Sequence, residues 1–134
     1  MMLDKSLYVE QKMDWKEYEQ KAKAEVSYIY KKTPAPKKIW SNTEIIKEIK
    51  RVWGKDSQDA ICIAKCESNL RPGAIGDKWS AFKSYGVFQI RHLPGRPAIS
   101  KLLDPAFNIR YAYNLFLHNG WQPWEISSYK CGLR

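Results

Sequence analysis

The stretch that most constrains this chain is QDAICIAKCE, residues 58 to 67. Ala60, Ile61, Ile63 and Ala64 leave a helix here apolar on most of its sides, so it has to be enclosed by other elements. Asp56 or Ser57 is placed to cap its start. With 134 residues in all, the chain can build one core around it, and so one domain with at most an appendage. The helix ends abruptly. Cys66-Glu67-Ser68 runs straight into a loop carrying Pro72 and Gly73. At that end the helix dipole is negative and apolar neighbours remove water, and both effects disfavour an ionised carboxylate on Glu67. A carboxyl held protonated is what general acid catalysis needs. The plainer alternative is a solvated polar residue at a frayed helix end.

The flanking segments supply the enclosure. SNTEIIKEIKRVWG, residues 41 to 54, reads as a helix with a Ser41/Glu44 capping box, an exit at Gly54, and an apolar face of Ile45, Ile46, Ile49 and Trp53. SNLRPGAIGDKWSAFK, residues 68 to 83, has little periodicity and reads as a loop. SYGVFQI, residues 84 to 90, suits a short strand or a tight buried segment. RHLPGRP is irregular. DPAFNIRYAYNLFLHNG, residues 104 to 120, is a strong helix, with Asp104 as cap, Pro105 at the first position and Gly120 past the end. Phe107, Tyr111, Leu115 and Phe116 are available for its inner face. The tail WQPWEISSYKCGLR is aromatic and broken by proline. At the other end, residues 5 to 32 read as an amphipathic helix through Trp15, Tyr18, Ala22, Val26 and Ile29, ended by KKTPAPKK. The expected division is therefore a helix and Pro/Lys linker over 1–37 and a folded domain over 38–134. The N-terminal helix is suited to packing on that domain, on a partner or on a second copy.

Charge and cysteines narrow the partners. A net charge of +9 favours an anionic partner such as a cell wall, lipid or nucleic acid. No helix-turn-helix, zinc-finger or RNA-binding signature accompanies it, so nucleic acid is not expected. No run is long and apolar enough to span a membrane. The first thirty residues lack an apolar signal-peptide core, which leaves two routes open: an export signal outside this sequence, or release by another route, such as in a virion or after lysis. Cys62 and Cys66 are four apart and share a helix face, where a bond between them is awkward. The residues alone allow three reduced thiols, or a bridge from Cys66 to Cys131 closing a loop of roughly 65 residues, worth about 4 kcal/mol in the chain-entropy model. Their spacing, with His92 and His118, is not that of a zinc finger or ribbon. No metal or other cofactor is expected.

Four segments taken in order are more specific. ESNLRPGAIG at 67–76, SYGVFQI at 84–90, LLDPAFNIRYAYNLF at 102–116 and GWQPW at 120–124 together resemble the lysozyme-like superfamily. The likeness is strongest to lytic transglycosylases with a transglycosylase SLT-type domain, and extends to goose-type lysozymes and resuscitation-promoting-factor domains. It covers about residues 41 to 131. It implies a mainly α, α+β lysozyme-like fold with a small β-hairpin beside the active-site cleft. It also implies peptidoglycan glycan strands as substrate and an extracytoplasmic setting. Carried over residue by residue, it makes Glu67 the catalytic acid. Ser68 lies near the reacting sugar, and Tyr85, Gly86 and Gln89 line the cleft wall, with Trp121 from the Gly-Trp segment as a further substrate contact. Where related domains carry a Tyr in the motif beginning Asn-Ile, this chain has Leu115, and Tyr111 or Tyr113 is the nearby substitute. The resemblance further implies a Cys66–Cys131 disulfide, leaving Cys62 as a buried free thiol.

The number of carboxylates separates two reactions. A hydrolytic lysozyme usually needs a second acid to attack or to position water. Asp77, in the Gly-Asp turn, is the available candidate, since Asp104 reads as a cap and Glu125 as a tail residue. A lytic transglycosylase needs Glu67 alone, because the substrate's N-acetyl group stabilises the cationic centre and the muramyl O6 closes an anhydro ring. The expectation is the transglycosylase, with the Asp77-assisted muramidase second. A non-catalytic wall-binding or virion structural module is the third reading.

Overall fold

The structure is a computed structural model that describes residues 16, 19–21 and 38–133. The chain divides into two compact units, Met1–Ile39 and Trp40–Arg134. In the first, residues 16 and 19–21 are helical and exposed. The remainder of the expected helix over 5–32, with Trp15, Tyr18, Ala22, Val26 and Ile29, lies outside the described residues.

The second unit is mainly helical with one small antiparallel sheet, as the sequence predicts. Helix α1, Asn42–Trp53, starts on the expected capping box: the Ser41 hydroxyl accepts from the Glu44 N–H while the Glu44 carboxylate accepts from the Ser41 N–H. Its buried stripe is Ile45, Ile49 and Trp53. A 3-10 turn over Gly54–Asp56 leads into α2, Ser57–Ser68, the apolar helix. Ala60, Ile63 and Ala64 are fully buried there. Strands β1 (Ile75–Gly76), β2 (Ser84–Tyr85) and β3 (Ile90–Arg91) pair in the order β1-β2-β3. Ile75 faces Tyr85, which in turn faces Ile90. A single turn, α3 (Ile99–Leu102), precedes α4 (Pro105–Asn119), which the Asp104 carboxylate caps through the Ala106 N–H. The proline-broken tail holds more structure than its sequence suggests. Pro123 is the second residue of a 3-10 turn over Gln122–Trp124, near an N-terminus where a missing N–H costs little, and α5 follows over Glu125–Lys130.

The core has two parts. Trp53 is ringed by Phe88, Trp121, Tyr113, Phe116 and Trp124, with centroid separations from 5.1 Å for Phe88 to 6.4 Å for Trp124. These contacts bring α1, α4 and the tail onto one indole. The second part is polar and sits under the β2–β3 connection. Asn108, fully buried, donates through Nδ2 to the carbonyls of Tyr85 (2.9 Å) and Leu102 (2.8 Å) and accepts through Oδ1 from the Phe88 N–H (2.8 Å). The Trp124 indole donates to the Phe88 carbonyl at 2.8 Å. The Ser68 hydroxyl donates to the Val87 carbonyl at 2.6 Å. A buried turn with no regular ladder thus has its peptide groups satisfied by side chains from α2, α4 and the tail. Gly86 is required at its start. Its φ is 83°, and a Cβ there would collide with the Asn108 amide and the Leu102 carbonyl.

The expected disulfide is corrected. Cys131 is bonded to Cys62, not Cys66, with Cα atoms 6.1 Å apart; Cys66 is a free, exposed thiol. The two helix cysteines sit on successive turns of one face, and the loops they would close with Cys131 differ too little in length to distinguish them by entropy. The choice is made by where α5 docks along α2, which no spacing in the sequence encodes.

Asn108→Ala removes the partner of one buried N–H and two buried carbonyls. A loss of about 3–5 kcal/mol in unfolding free energy is expected, at the cost usual for several orphaned buried groups, measured by urea denaturation.

Candidate active site

Glu67 lies in the last turn of α2 and is half-buried. The helix stops there for a local reason. Asn69 takes the left-handed conformation at φ 54°, a geometry asparagine tolerates, and its N–H closes on the Lys65 carbonyl at 3.0 Å. Leu70 follows at φ 63° and is buried, so an apolar anchor holds the unusual backbone in place. With Ser68 pinned to the turn on one side and Leu70 on the other, the Glu67 side chain is directed into a cleft of about 450 Å³. Asp77, Gln89, Arg91 and Arg96 line this cleft together with the tail from Gln122 to Ile126.

Burial is the main influence on the Glu67 carboxyl and holds its pKa above the ordinary carboxylate range. The Ser127 hydroxyl donates to Glu67 Oε2 and pulls the value back. The charge of Asp77 pushes it up, and Lys130 draws it down. The cause expected from the sequence, loss of water at a helix end, therefore operates. The hydrogen-bonding serine has no sequence signal. It lies in EISSYK, where two adjacent serines carry no pattern that marks them as the buried face of α5.

Asp77 shares the cleft with Glu67. It sits at φ 53°, accepts from the Ser84 hydroxyl, and has the Arg91 guanidinium 3.6 Å from Oδ2. Gln89 also lines the cleft, at φ 51°, and its amide donates to the carbonyls of Ala74 and Gly86, each at 3.0 Å. It thereby ties the β1 strand to the β2–β3 turn. Gly76 lies directly beneath, and a Cβ there would strike the Gln89 Oε1.

Other predicted contacts lie elsewhere. Ser68 is buried and occupied with the Val87 carbonyl, so it braces the cleft floor. Tyr85 and Gly86 belong to the sheet and turn behind the wall, with the Tyr85 side chain 9% exposed and edge-on to His92. Tyr111 is buried against Phe107, Tyr113 packs on Trp53, and Leu115 is the residue of that helix that reaches the cleft. Trp121 belongs to the Trp53 cluster, 4.3 Å from Phe116 between centroids.

This arrangement is a half-buried carboxyl at a helix end, sharing a cleft with a second carboxylate and with residues of strands β2 and β3. It coincides with what sequence comparison finds. Residues 51–126, more than half of the chain, match the family described as "Lysozyme like domain", and the chain belongs to that family. The family comprises peptidoglycan-acting glycosidases and transglycosylases, which places the chain with enzymes of that general type. No curated protein matches the chain.

Two outcomes follow from the Glu67 environment. Ser127→Ala removes a donor that favours the charged form, so the Glu67 pKa rises further, read by NMR titration of its side-chain carboxyl carbon. Stability carries the second. The folded chain holds the Glu67 proton to higher pH than the unfolded chain does, so ionising it destabilises the fold. That penalty is absent below the ordinary carboxyl range, at about pH 4, and complete above the raised value. Glu67→Gln keeps the acceptor for Ser127 and removes the penalty. Its melting temperature should exceed that of the wild type by a margin that widens as pH rises from about 4 to 7.

Proposed function

We propose that this chain is a lytic transglycosylase that cleaves the β-1,4 bond between N-acetylmuramic acid and N-acetylglucosamine in peptidoglycan, with Glu67 as its single acid and base. The observation that carries this reading is the Glu67 carboxyl, half-buried in the cleft with its pKa raised by loss of water. Protonated Glu67 gives its proton to the glycosidic oxygen as the bond breaks. The N-acetyl group of the muramyl residue stabilises the cationic carbon. The Glu67 carboxylate then takes the proton of the muramyl O6 hydroxyl, whose oxygen closes the 1,6-anhydro ring. The Ser127 hydroxyl supports the acid half of the cycle, because its hydrogen bond stabilises the carboxylate left when the proton is given up.

Asp77 gives the second reading its weight. Its carboxylate lines the same cleft, and a muramidase would use it to hold the attacking water. The first reading is preferred because Asp77 Oδ2 is already engaged by the Ser84 hydroxyl and lies near Arg91. The net charge of +9 supports accumulation on an anionic wall, and the Cys62–Cys131 disulfide fits an oxidising, extracytoplasmic setting. No described helix is long and apolar enough to cross a membrane. In this reading residues 38–134 form the catalytic domain and residues 1–37 an appendage that meets a partner or a second copy.

Glu67→Gln should lower the rate of wall digestion by about 10²-fold or more, the usual contribution of a general acid. Full activity in that variant would remove Glu67 from the mechanism, and glycan binding without turnover by the wild type would favour a wall-binding module. Mass spectrometry of the muropeptides separates the two reactions. Anhydro ends, lighter by one water, identify the transglycosylase, and reducing ends identify the muramidase.

A further inference from the structure

The Cys62–Cys131 disulfide has a third sulfur beside it. Cys66 Sγ lies 3.8 Å from Cys131 Sγ, and the three sulfur atoms all fall within 4.8 Å of one another. Cys66 is a free thiol, and it is exposed. Neither the family match nor the acid–base reading uses this cluster.

We infer that Cys62, Cys66 and Cys131 form an intramolecular thiol–disulfide exchange site, in which Cys131 is bonded alternately to either helix cysteine. The geometry supplies two requirements of exchange, a thiol with access to solvent and contact with one sulfur of an existing disulfide. Because the three sulfurs are not collinear, the Cys66 side chain must first swing into line with the Cys62–Cys131 bond. Cys66 loses its proton to solvent, and the thiolate attacks Cys131 Sγ. The Cys66–Cys131 bond forms as the Cys62–Cys131 bond breaks, and the electron pair leaves on Cys62 Sγ, which takes a proton from solvent. One disulfide and one thiol stand on each side, so no oxidant or reductant is consumed.

Three features make the two isomers close in free energy. Cys62 and Cys66 stand on the same face of α2, one turn apart. Their loops to Cys131 span 69 and 65 residues, so the closure entropy is nearly equal. Cys131 is the C-cap of α5, so it lies at a helix terminus and not within the helix. The exchange moves the covalent tether by about 6 Å along α2, the rise of four helical residues. It carries the tether onto the residue that precedes Glu67. The far end of that tether is hydrogen-bonded to the element holding Ser127, since the Cys131 N–H donates to the Ser127 carbonyl at 2.9 Å.

The test is alkylation of the oxidised full-length chain without reductant, followed by peptide mapping. Exchange predicts one label per chain, distributed between Cys66 and Cys62, with the Cys62 share independent of protein concentration. In Cys66→Ser, Cys62 should take no label. In Cys62→Ser, a Cys66–Cys131 bond should form, leaving no titratable thiol. Several results would overturn the proposal: label confined to Cys66 in the wild type with two free thiols in folded Cys62→Ser, equal labelling of Cys62 in Cys66→Ser, or a Cys62 share that grows with concentration, which would mark exchange between chains. If Cys62→Ser does not fold, the wild-type label distribution alone decides.

Discussion

The structure depends on the side-chain amide of Asn108 and the buried turn it holds. Residues 85 to 89 cross the core between two strands of two residues each, too short to satisfy a backbone by pairing alone. The turn is stable because Asn108 answers three of the peptide groups around it, Trp124 answers the Phe88 carbonyl, and Ser68 answers the Val87 carbonyl. An unanswered buried peptide group costs about 1–3 kcal/mol, so these bonds fix the path of the turn more firmly than local propensity does. Once it is fixed, Phe88 is placed on Trp53, and the aromatic cluster brings α1, α4 and the tail together.

The same bonds set the chemistry of Glu67. Ser68 is its immediate neighbour, and the bond from Ser68 to the turn holds the end of α2 against the sheet. The acid is thereby kept partly out of water with its carboxyl facing the cleft. Trp124, which anchors the turn from the opposite side, immediately precedes α5, the helix that delivers Ser127 to the carboxyl. Position and protonation of the acid thus derive from one set of contacts.

Much of this was legible in the sequence, and the remainder was hidden for identifiable reasons. The helices with caps and periodic apolar faces, Ser41 to Trp53 and Asp104 to Asn119, follow from short-range rules. So does the end of the apolar helix at Glu67. What escaped was long-range. Nothing near Asn108 marks it as the partner of a turn twenty residues away. Ser68 and Tyr111 read as substrate contacts because they lie beside motif residues, yet their side chains face the core. The disulfide partner is hidden for the same reason: Cys62 and Cys66 differ only in which turn of α2 meets Cys131, and that is decided by tertiary docking. Ser127, in a short tail helix, has too few residues around it for a periodic signal.

The brevity of the strands has a consequence for motion. A cleft wall built on a long hairpin can fray from its tip while the rest of a domain stays closed. Here the wall's ladder is only two residues long in each strand, and the peptide groups of the connecting turn are held by side chains rooted in α2, α4 and the tail. Opening it exposes the aromatic cluster and the helix ends together, so the wall belongs to the same cooperative unit as the core. The face presented to a substrate is therefore as rigid as the domain is stable, and slow exchange of the Phe88 amide would report both.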